Sequence, residues 1–146
     1  MIAEQQRHQM KETVKTVLFV CTENAGRSQL AEAIFNSVAP PGWQAASAGT
    51  RPAATAYPDT IEVLKESGID AGKKIPRLLT SQLVDEAHIV ITMGCGDEGC
   101  PLLPVESEDW GLPDLKGKPL EDFRVLREMI FRKVEALARQ LRSSGD

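Results

Sequence analysis

A strand-like run, Thr16-Val17-Leu18-Phe19-Val20, ends on Cys21, and by Ser28 the hydrophobic period has changed to that of a helix. Leu30, Ala31, Ile34, Phe35 and Val38 recur at the spacing of one helical face. So abrupt a change across a short loop commits this stretch to a strand–loop–helix unit. The loop then lies beyond the carboxyl end of a strand and at the amino end of a helix. Backbone N–H groups curled inward at such a place make a nest for an anion.

The residues in the loop fit that use. Cys21 and Arg27 are separated by five residues, Thr22-Glu23-Asn24-Ala25-Gly26, and Ser28 follows. Their amides are expected to bind the anion. Asn24 and Gly26 tolerate the positive φ that such a curl demands. Arg27 offers a planar fork of donors for a tetrahedral oxyanion. Cys21 at the centre is a nucleophile once it is a thiolate, a form favoured by a helix amino terminus and by a hydroxyl such as that of Ser28. A buried, inert cysteine at a strand end is the bland alternative, and it accounts for neither Arg27 nor Gly26.

The rest of the chain repeats the alternation. Trp43 to Ala48 reads as a strand and Tyr57 to Ser67 as a helix, with Pro58 in its first turn and Gly68 as its stop. Ser81 to Asp85 reads as a short helix, and His88 to Met93 as a strand apolar enough to be covered on both faces. A last short strand is expected at Trp110 to Leu112, before a long helix from Pro119 to Leu141. The expectation is a single α/β domain over residues 15–142, a parallel sheet flanked by helices, after a loose extension at 1–14.

Composition narrows the partners. The formal charge is −4 and aromatics are 5% of residues, which argues against nucleic acid. No apolar run is long enough for a membrane span, and Met1 to Val14 is too polar for a secretory signal. Three cysteines, an odd number, suggest working thiols in a reducing, cytoplasmic setting. Cys95 and Cys100 flank a glycine-rich stretch ended by Pro101. In a helix their thiols would point to different faces, so a disulfide between them requires the segment to loop or unwind. With His88 they make too few ligands at poor spacing, so no metal is expected. A thiolate attacking an oxyanion needs a proton donor for the departing oxygen. Asp114, placed beyond the last strand, is the candidate, whereas Glu108 and Asp109 read as solvated.

Together VLFVCTENAGRSQLAEAIF, SAGT, ITMGCGDEGCP and DWGLPD resemble arsenate reductases of the low-molecular-weight tyrosine phosphatase fold, over Thr16 to Leu141. The resemblance implies a four-stranded parallel sheet and a thiol relay. Cys21 attacks arsenate, Arg27 and the loop amides hold its oxygens, and Asp114 protonates the leaving hydroxyl. Cys95 then attacks Cys21 and releases arsenite. Cys100 attacks Cys95, leaving a Cys95–Cys100 disulfide for external thioredoxin, with no bound cofactor. Phosphate or sulfate would mimic the substrate, and a monomer is expected. Asn24, Glu32 and Ser47 resemble residues that support the loop from behind, where some members bind potassium with a later Asp. Arg77 falls at that last position, and its guanidinium is expected to replace the ion. The chain also has Asp114-Leu115 where the family usually has Asp-Pro.

Two other functions are compatible with these residues. A phosphatase acting on phosphotyrosine or small phosphate esters would use the same loop. The scarcity of aromatics near Asp114 disfavours it, since Tyr57 is the one tyrosine and Trp110 is assigned to the core. A non-catalytic oxyanion-binding redox switch would need Cys95 and Cys100 but not Cys21.

Overall fold

The structure is a computed structural model and describes residues 14–70, 74–94 and 107–143. Cys95 and Cys100 lie outside the described residues, as does nearly all of the expected extension. The strands are β1 (Lys15–Cys21), β2 (Trp43–Gly49), β3 (Ile89–Thr92) and β4 (Glu108–Asp109). The helices are α1 (Arg27–Val38), α2 (Pro58–Glu66), α3 (Ser81–Glu86) and α4 (Leu120–Ser143). All strand pairs are parallel, in the order β2-β1-β3-β4, which is the expected four-stranded α/β sheet.

Burial follows from alternation along β1. Val17, Phe19 and Cys21 face one core, shared with Leu30, Ile34 and Phe35 of α1, Val63 and Leu64 of α2, and the apolar stripe of α4. That stripe is Phe123, Leu126, Ile130, Val134 and Ala138, spaced by three or four residues. Leu18 and Val20 face the opposite side, where Leu79 and Val90 cover them. Both faces of β1 are therefore dry, as continuous apolarity requires.

Register brings the strand ends to one edge. Cys21 pairs with Gly49, Val20 with Thr92, and Thr92 with Asp109. Four strands thus end together, and the loops beyond them can converge. Helix α1 stops at Val38 because Ala39, held extended at ψ 135° before Pro40, cannot continue it.

The last strand differs from expectation. It spans Glu108–Asp109, not Trp110 to Leu112. Trp110 donates its amide to Thr92 O at 2.8 Å, and the chain then turns at Gly111, φ +59°. The indole tilts against Phe19 at 5.5 Å, so Trp110 is half-buried over the core instead of extending the sheet.

Candidate functional site

The loop from Cys21 to Ser28 is shaped by where its carbonyls go. Cys21 O accepts from Thr50 N, Thr22 O from Arg51 N, Glu23 O from Ala53 N, and Ala25 O from Tyr57 N. These bonds draw four of the loop's carbonyls toward the 50–57 segment. The Asn24 N–H reaches Cys21 Sγ at 3.2 Å. Asn24 takes φ +52°, the left-handed value expected for it. Gly26 does not: its φ is −128°. Its lack of a side chain serves space instead, because a Cβ there would lie 3.1 Å from the Tyr57 ring. Gly49 is tighter still, since a Cβ would stand 2.5 Å from Thr22 O.

Cys21 is 2% exposed, and Ser28 Oγ lies 2.8 Å from its sulfur. Asn24 Nδ2 donates to the same hydroxyl at 2.7 Å, which leaves the Ser28 O–H available to donate to the sulfur of a thiolate. Asn24 Oδ1 accepts from the Arg77 amide at 2.9 Å. Arg27 is buried at the start of α1, and its Nη1 donates to the carbonyls of Met93, Gly94 and Leu112 at 2.8, 2.9 and 3.0 Å. The fork has five donors, so Nε and Nη2 keep N–H groups for an anion.

Behind the loop, Ser47 Oγ donates to Glu32 Oε1 at 2.6 Å. The cation on the other carboxylate oxygen is the Lys74 ammonium, not the guanidinium of Arg77. Arg77 instead donates Nε to Ser47 O at 2.9 Å while its amide holds Asn24. Two side chains thus share the position behind the loop, Arg77 on Ser47 and Lys74 on Glu32. Among the described residues no cluster of three or more His, Cys, Asp or Glu could hold a metal ion.

The proton-donor candidate stands at the rim. Asp114 is exposed, and its Oδ1 accepts from the Lys116 amide at 3.1 Å. Lys116 Nζ reaches Glu23 Oε2 at 3.2 Å, while Tyr57 donates its hydroxyl to Glu23 Oε1 at 2.9 Å. Burial first, then the bond to Glu23 and the charges of Asp114, Glu23 and Cys21, raise the Tyr57 phenol well above its ordinary 10.0. Tyr57 therefore remains a neutral donor at physiological pH.

Sequence reasoning missed Lys74, Tyr57 and Lys116, and missed the donors that Asp109 gathers. The Asp109 carboxyl lies below the ordinary 3.8, held there chiefly by the Thr92 hydroxyl, against partial burial, and then by the Gly111 and Gly94 amides and the Arg27 charge. It is exposed, as its setting among acidic residues suggests, but it is also engaged by these donors. Glu108 is likewise exposed and accepts from the Trp110 indole at 2.8 Å.

Known proteins resemble both the chain and its fold. An arsenate reductase of Staphylococcus haemolyticus is 35% identical over 125 residues, which cover 84% of this chain and 95% of that protein. The solved thioredoxin-dependent arsenate reductase of Corynebacterium glutamicum superposes with a TM-score of 0.76 at 31% identity, over 98% of this chain and 73% of that one. An arginine phosphatase from Geobacillus stearothermophilus superposes with a TM-score of 0.77 at 29% identity, over 89% and 94%. Residues 16–145 match the low molecular weight phosphotyrosine protein phosphatase family, and the chain belongs to that family.

Proposed function

We propose that the protein is a thioredoxin-coupled arsenate reductase. The observation that carries this reading is the placement of Cys21: its sulfur is held between the Asn24 amide and the Ser28 hydroxyl, under a loop whose carbonyls turn away. Such a pocket suits a nucleophilic thiolate facing a tetrahedral oxyanion. The arsenate reductases among its relatives support the choice of arsenic over phosphorus. Cys95 and Cys100 in the sequence supply the further thiols that a reduction requires and a phosphatase does not.

Cys21 Sγ attacks arsenic while Asp114 gives a proton to the departing hydroxyl, which leaves as water. Nε and Nη2 of Arg27 and the loop amides take up the oxyanion charge. The Cys95 thiolate then attacks Cys21 Sγ. The sulfur–arsenic bond breaks with its electron pair remaining on arsenic, giving arsenite and a Cys21–Cys95 disulfide. Cys100 attacks Cys95 and frees Cys21 as a thiolate, a good leaving group in this setting. The two electrons return when a thioredoxin dithiol reduces Cys95–Cys100. Gly94, whose carbonyl accepts from Arg27, immediately precedes Cys95 in the sequence.

Arsenate-dependent NADPH oxidation with thioredoxin and thioredoxin reductase tests this in wild type, Cys95→Ser and Cys100→Ser. Turnover that disappears in both variants is expected. Absence of turnover in wild type, with aryl phosphate hydrolysis intact in all three proteins, would leave a phosphatase.

A further inference from the structure

Asp109 is the last residue of β4, and one of its oxygens gathers three donors. Oδ1 accepts from Thr92 Oγ1 at 2.7 Å, Gly94 N at 2.9 Å and Gly111 N at 3.2 Å. The Gly94 N–H belongs to the same peptide plane as the Met93 carbonyl, which accepts from Arg27 Nη1 at 2.8 Å. One edge of this trans peptide therefore rests on the carboxylate and the opposite edge on the guanidinium. Because the plane is rigid, a bond that stops rotation at one edge also aims the other.

We propose that Asp109 is a positioning residue for Arg27, acting through the Met93–Gly94 peptide. Without that anchor the plane is hinged on Gly94, whose φ of +93° lies where glycine moves most freely. The turn is also too close to admit anything larger: a Cβ on Gly94 would lie 2.9 Å from Leu112 O and 3.3 Å from Arg27 Nη1. The carboxylate polarises the peptide it accepts from, so the Met93 oxygen holds the cation more strongly. Holding Nη1 on its three carbonyls fixes the plane of the guanidinium, and with it the direction of Nε and Nη2. Asp109 contributes no atom to the anion's shell. The same donors hold its carboxyl below the ordinary value.

This inference rests on reading the Cys21–Arg27 loop as an oxyanion site, and one experiment separates the two. Cys21 in the full chain is alkylated with iodoacetamide under rising inorganic phosphate, and modification of its peptide is followed by mass spectrometry. Wild type, Asp109→Ala, Asp109→Asn and Thr92→Val are compared, with melting temperatures for each. Phosphate is expected to protect wild type, and the protection constant is expected to weaken roughly ten-fold in Asp109→Ala, with alkylation in the absence of phosphate nearly unchanged. Asp109→Asn keeps an acceptor oxygen but no charge and should fall between, as should Thr92→Val. A merely structural role would lower stability and shift the unprotected rate and the protection together. Protection within two-fold of wild type in Asp109→Ala overturns the inference. Should that variant not fold, the same result in Asp109→Asn does so. Failure of phosphate to protect wild type would instead remove the oxyanion reading, and this inference with it.

Discussion

Replacing Ser28 with Ala removes one oxygen that serves two partners. The hydroxyl lies 2.8 Å from Cys21 Sγ and 2.7 Å from Asn24 Nδ2, in a site with no solvent access to Ser28. A hydrogen bond to an ionised group is worth about 1.5–3 kcal/mol, or roughly a ten- to hundred-fold change in the thiolate population. The thiolate that remains is more nucleophilic, which offsets about half of that on a logarithmic scale. The alkylation rate of Cys21 should therefore fall roughly three- to ten-fold, measured at a pH acid enough for the rate to follow the thiolate fraction. Separately, the Asn24 amide loses a buried acceptor, at a cost of about 1–3 kcal/mol, which should lower the melting temperature by several degrees. Mass spectrometry of the Cys21 peptide keeps Cys95 and Cys100 out of the measurement. An alkylation rate within two-fold of wild type would refute the claim that Ser28 donates to the thiolate, whatever happens to the melting temperature.

Gly49→Ala should be more damaging than its size suggests, because the new Cβ would meet Thr22 O at 2.5 Å and Asn24 N at 2.9 Å. The loop must then shift by some tenths of an ångström, and arsenate turnover should drop by about 10²-fold; an unchanged rate would show that β2 can give way instead. At the far side of the molecule, Arg124 and then Arg127 hold the Glu66 carboxyl down at about 2, against an ordinary 4.5, and so tie α4 to α2. A depressed folded value means the contribution is complete above 4.5 and is lost as pH falls toward 2. Thermal melts of wild type against Glu66→Gln should converge over that acid window and differ above it.

Legibility in the sequence tracked the length of the pattern. β1 was readable because four consecutive apolar residues, Val17 to Val20, are buried, and α4 because its stripe persists from Phe123 to Ala138. Asn24 was readable because few residues other than glycine accept its φ. β4 was not, since it is two exposed residues without alternation. Asp109 sits in a run of acidic residues that looks solvated, and its donors Thr92 and Gly94 come from a neighbouring strand end that only sheet register reveals. That Lys74 meets Glu32 while Arg77 meets Ser47 is a property of the fold and not of the spacing. The cysteine chemistry beyond Cys21 rests on Cys95 and Cys100, outside the described residues.

The Lys74–Glu32 pair has a consequence for how the loop's backing is assembled. The Glu32 side chain is 7% exposed, and a charge taken so far out of water calls for a partner of opposite sign. The chain carries its own, on the segment whose Arg77 amide also docks on Asn24. A tethered ammonium is present at an effective concentration in the millimolar range or above, whatever ions the solvent holds. Seating that one segment therefore neutralises the rear of the loop and pins its left-handed residue in a single event.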